Sequence, residues 1–158
     1  MSGSGPVLVA VRILGLPLDV YRRSSEHSDE LLREFALIRE DNSDHVPGRL
    51  LALIDELNAR YAGFTQAQRV AMQEALARGE TEIDLLYEVP PEASEGVVRL
   101  ASLLDEADDF CRAGELLTLA THPEGLAFRR WFLEEFQFQI EGPPPRPWSV
   151  FLKESAGG

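Results

Sequence analysis

The chain reads as a mainly α protein of the α+β kind, with about five helices and a short two-stranded sheet at about 7–14 and 81–89. Three observations predict this. Most apolar residues recur at spacings of three and four, the period of helices packed on a core. Two short segments, VLVAVRILG and TEIDLLYEV, alternate with a period of two instead. And 158 residues with 44% hydrophobic content are enough for one core without covalent staples. A single domain over 6–148 follows, with tails expected at 1–5 and 152–158, where small and polar residues gather.

The first strand places Val7, Val9, Val11 and Ile13 on one face, and Gly15 is expected to end it. Pro17 suits the first turn of a helix, where its missing N–H costs nothing. The helix that follows carries Tyr21, Ser24, Ser28, Leu31, Phe35 and Ile38 on one side, apolar at its ends and small in its middle. Small residues there allow another helix to approach closely. DNSDHVPG is a loop, and RLLALIDELNARYAG a second helix ending at Gly63. Thr65 and Gln68 have capping-box spacing, so a third helix is expected to start there and stop at Gly79.

In the second strand Ile83, Leu85, Tyr87 and Val89 face one way, and Pro90-Pro91 ends it. It is the natural partner of the first, because a lone strand leaves its backbone groups unpaired. A fourth helix over 92–112 buries Val97, Leu100, Leu104, Ala107 and Cys111. ELLTLA connects it to a fifth, launched by the capping pattern of Thr121 and Glu124 and ended by Gly142. PPPRP is then extended.

The fifth helix holds a surplus of rings. Phe128, Phe132, Leu133, Phe136 and Ile140 form one broad apolar lobe, enough to pack on a core. Trp131 and Phe138 form a second lobe, set apart from the first by Glu135 and Gln139. Two covers fit it. The chain can reverse at Gly142 and lay Pro144, Pro145 and Trp148 on the tryptophan face. Otherwise Trp131, Phe138 and Trp148 form a patch for a partner.

Charge narrows the function classes. With 15 basic and 27 acidic residues, the net charge is −12. Such a surface repels phosphate backbones and anionic lipid, so nucleic acid and membrane are poor partners and a basic patch on another protein is a better one. The apolar run at the N-terminus is short and interrupted by Arg12, and Cys111 is the lone cysteine, which together suggest a cytoplasmic protein. No cofactor, metal or catalytic signature emerges. LLDEADDF has the letters of a Walker-B box but sits in an amphipathic helix with no phosphate-binding loop, so it reads as a solvated acidic face. His27, His45 and His122 lack metal-ligand spacing. Cys111 has acidic neighbours and makes a poor nucleophile. PPPRPW has the spacing of a polyproline ligand but is flanked by aromatic segments.

SDELLREFALI, LLDEADDFCRAGELLTLA and FRRWFLEEFQFQIEGPPPRPW resemble a set of small actinobacterial proteins that accompany partner-switching regulators, namely anti-sigma-factor serine kinases, STAS-domain antagonists and PP2C-type phosphatases. The resemblance implies a role in that circuit through protein contacts. It does not imply the kinase itself, whose ATP fold needs an Asn-bearing helix box and a D-x-G-x-G loop. Leu57-Asn58-Ala59 is a fragment of the first, and the second is missing.

Two functional readings follow. The first is a non-catalytic regulatory or adaptor protein that binds another protein through Trp131, Phe138 and Trp148, with Ser24 and Ser28 as a second helix contact; a homo-oligomer also fits. The alternative is a small-molecule or nucleotide-responsive sensor, or a diverged enzyme, with a pocket between the strand pair and the helices. Tyr87, Arg12 and His122 would be its polar groups.

Overall fold

The structure, a computed structural model, describes residues 7–39, 46–113 and 122–157. Among these are five helices and one two-stranded sheet. The order is β1 (Val9–Pro17), α1 (Leu18–Arg39), α2 (Val46–Ala77), β2 (Glu82–Val89), α3 (Ala93–Arg112), α4 (Pro123–Glu141) and α5 (Trp148–Gly157). ELLTLA, His45 and Thr121 lie outside the described residues.

β1 and β2 pair antiparallel, Val9 opposite Val89 and Ile13 opposite Leu85. Gly15 does not end β1. The register shifts between Ile13 and Leu16, so that Leu14 and Gly15 together face Asp84. Gly15 takes a positive φ of 66° and donates its N–H to Asp84 Oδ1 at 2.7 Å. Such a bulge flips the side-chain alternation. Val11 and Ile13 point inward before it and Leu16 after it, all fully buried. Pro17 remains in the strand opposite Glu82, and α1 begins one residue later.

The two helices expected between 49 and 78 are one. α2 runs 32 residues without a break, through Gly63 and Thr65. The Thr65 hydroxyl donates back to the Ala62 carbonyl at 3.4 Å instead of capping a new helix. Gln68, expected to reach back, donates to the Leu86 carbonyl of β2 at 2.7 Å. An exposed helical glycine costs only about 1 kcal/mol, and packing at both ends of α2 outweighs it. Leu50 and Leu53 join one apolar cluster with Leu31, Phe35 and Leu103. Met72 and Ala75 join the other, under the sheet. The fifth helix comes instead from the C-terminus, where residues 152–157, expected as a tail, are the outer turns of α5.

Candidate functional site

The reversal at Gly142 (φ 139°) carries the chain back along α4. Pro143 to Pro147 form no regular element, and α5 then lies against β1. This resolves the second aromatic lobe. Trp131 is fully buried, its indole N–H donating to the Arg146 carbonyl at 2.8 Å. Trp148 packs edge-on against it with ring centroids 5.4 Å apart, and stacks on Phe151. The fold-back cover is therefore the one present, and the exposed patch of Trp131 with Trp148 is not. Phe138 alone stays half-buried and outside both apolar clusters.

Glu135 and Gln139, which separate the two lobes in the sequence, are both buried. One turn apart on α4, they form the base of a latch. Glu135 accepts the Arg146 backbone N–H at 2.8 Å and its Nε–H at 3.3 Å, and also the Gln139 amide at 2.9 Å. Arg146 further reaches Glu134 and Glu154, and its guanidinium lies 4.8 Å from the Phe151 ring centre. Burial works against that charge, but the carboxylates of Glu134, Glu154 and Glu135 outweigh it, so the Arg146 pKa is raised.

Gln139 does a second job. Its amide accepts from Arg12 N at 2.7 Å and donates to Arg12 O at 2.8 Å, closing the outer edge of β1. Arg12 is the register partner of Leu86, whose carbonyl is taken by Gln68 on the other side. At a non-hydrogen-bonded pair both residues turn their backbone groups outward. One glutamine therefore covers each edge of the two-stranded sheet at the same level, which blunts strand addition there.

The acidic run in α3 is not wholly solvated. Asp105 is exposed, but Asp108 is 2% exposed and pairs with Arg129 of α4 at 2.7 Å; the same Arg129 nitrogen lies 3.0 Å from Asp105. The sequence reading missed Glu135, Gln139 and Asp108 because each sits at the margin of an apolar stripe. An acid or amide lodged between two aromatic lobes was the available signal.

Between α1 and α4 lies a cavity of about 270 Å³. Leu31, Leu104, Phe128, Phe132 and Leu133 supply its apolar wall, and Tyr21, Ser24, Ser25, Ser28, His27 and His122 its polar one. Ser24 and Ser28 were expected to seat another helix. They face α4 of the same chain, and being small they leave a gap where larger residues would close the contact. His122 caps α4, its Nδ1 accepting the Gly125 N–H at 3.1 Å.

The three polar groups suspected of sharing a pocket do not converge. His122 lines the α1–α4 cavity, while Tyr87 lines a separate hollow of about 340 Å³ between α2, β2 and α4. The Arg12 side chain is exposed. Cys111 is buried, and burial pushes its thiol pKa up, with Asp108 and Glu34 adding to the rise and Arg112 opposing it. Burial likewise raises the Tyr87 phenol, with Tyr21 adding and Arg69 opposing.

Both groups are neutral when protonated, and both hold their protons longer folded than unfolded. Their contribution is complete below the unfolded-chain values of about 8.5 and 10, and is lost as pH rises through the folded ones. Urea midpoints should therefore fall from about pH 8.5 upward, and Cys111→Ala should flatten the first part of that fall. A midpoint constant to about pH 11 would contradict both shifts.

Among the described residues no helix is long and apolar enough to cross a membrane, and no group of three His, Cys, Asp or Glu could hold a metal ion. No protein-family model matches the chain, and neither a curated protein nor a solved structure matches it.

Proposed function

We propose that the chain is a non-catalytic regulatory or adaptor protein acting through protein contacts, with a partner-switching circuit as its setting. The supporting observation is the apolar remainder of the C-terminal third. Phe138 is half-buried and packs in neither cluster, and Val150 and Leu152 of α5 stand 41% and 42% exposed. These groups sit on a molecule of net charge −12, which favours a partner with a basic surface. Trp131 and Trp148 are not part of this apolar remainder, because both are buried.

The test is calorimetric titration against a purified anti-sigma serine kinase, a STAS antagonist and a PP2C phosphatase. One of them should bind with a dissociation constant in the micromolar range or tighter, and about tenfold more weakly when salt rises from about 50 to 500 mM. Phe138→Ser with Leu152→Ser should weaken binding about tenfold or more while the helical signal is retained. No binding to any of the three, or binding indifferent to both salt and the double variant, would refute the reading.

A further inference from the structure

We propose that the α1–α4 cavity is a binding site for a small uncharged molecule, an aromatic or alicyclic ring bearing one hydrogen-bonding group. The inference rests on the cavity alone and goes beyond the adaptor reading. Three features of the cavity specify the ligand class.

The first is shape and wall chemistry. A space of about 270 Å³ matches a molecule of about ten non-hydrogen atoms, taking about 30 Å³ for each water it would replace. Its apolar wall includes Phe128, Phe132 and Leu104, which favour a flat apolar body. The second feature is an orphaned polar atom. Ser24 lines the cavity, and its Oγ is buried with no hydrogen-bond partner among the described residues. In this rotamer the hydroxyl is closed off from solvent, and turning about χ1 toward the cavity would let a ligand group satisfy it, as buried hydroxyls nearly always are.

The third is charge. Arg129 is the lining guanidinium, and it lies against both Asp108 and Asp105. Its positive charge is thus matched before any ligand arrives, and the net charge of −12 opposes anions further. No Asp or Glu is among the described lining residues, so a cation gains no direct partner either. An uncharged ring with a hydroxyl or amide suits all three features.

The test uses the full chain and three probes of one shape: benzyl alcohol, benzoate and benzylamine. Benzyl alcohol should raise Tm saturably, by about 3–5 °C at ten times its dissociation constant, which for so small a ligand lies near the millimolar range. It should also move the NMR resonances of Phe128, Phe132 and Leu104, and each charged probe should bind at least about tenfold more weakly. Ser24→Ala should weaken benzyl alcohol about threefold to tenfold. Ser28 is exposed at the mouth, so Ser28→Trp should block entry; if that variant fails to fold, Ser24→Ala carries the test. The proposal is overturned by no saturable shift up to about 10 mM benzyl alcohol. Resonance changes elsewhere in the molecule, equal or tighter binding of benzoate or benzylamine, or unaltered binding by Ser24→Ala would overturn it too.

Discussion

Trp131→Ala should lower stability by about 3–5 kcal/mol, the range for truncating a large buried ring. The side chain is fully buried and packs against Phe128 and Trp148. Its loss leaves a void under the arm and removes the donor to the Arg146 carbonyl. Against a whole-domain stability of about 5–15 kcal/mol this is a large fraction, equivalent to about 10 °C in Tm. Phe138→Ala, at a half-buried ring outside both clusters, should cost about 1 kcal/mol. The two positions look alike on a helical projection but differ in kind, so Trp131→Ala cannot serve as a probe of partner binding.

Urea denaturation checks the difference. The native protein should show blue-shifted, poorly quenched tryptophan emission, since both indoles are buried. A Trp131→Ala variant within about 1 kcal/mol of the parent would show that the arm does not hold the ring.

Arg146→Ala should cost about 3 kcal/mol, because removing one member of a buried ion pair leaves the other without its counter-charge. Glu135 would keep the Arg146 backbone N–H and the Gln139 amide but lose the guanidinium. The same change releases Glu134, Glu154 and the face of Phe151, which connect the arm to α4 and α5. A double-mutant cycle of Arg146→Ala with Glu135→Ala should show coupling of about 1–3 kcal/mol. Hydrogen exchange should also quicken first in α5, whose attachment depends on the latch. Strict additivity, together with unchanged protection in α5, would mean that aromatic packing alone holds the C-terminus.

Periodicity was a reliable guide to the elements whose signal is local. The strand over 82–89 and the helices that became α1, α3 and α4 follow from spacing, since burying one face is what their composition permits. Punctuation signals were weaker. Gly15, Gly63 and Thr65 each read as a stop or a start, yet Gly15 makes a bulge and the other two lie inside α2. A local preference near 1 kcal/mol yields when apolar contacts on both sides favour continuity.

From residue order alone came the class of fold, the acidic character, and the recognition that α4 carries more aromatic surface than one lobe can use. The cover for that surplus, and the purpose of the polar residues beside it, could come only from the folded chain. Gln139 meets Arg12 across 127 positions, and Glu135 meets an arginine embedded in a run of prolines. Hydrophobic burial is nearly additive in area and so leaves a trace in the pattern of each helix. A buried hydrogen bond depends on one donor meeting one acceptor within about 3 Å, and no one-dimensional pattern encodes that distance.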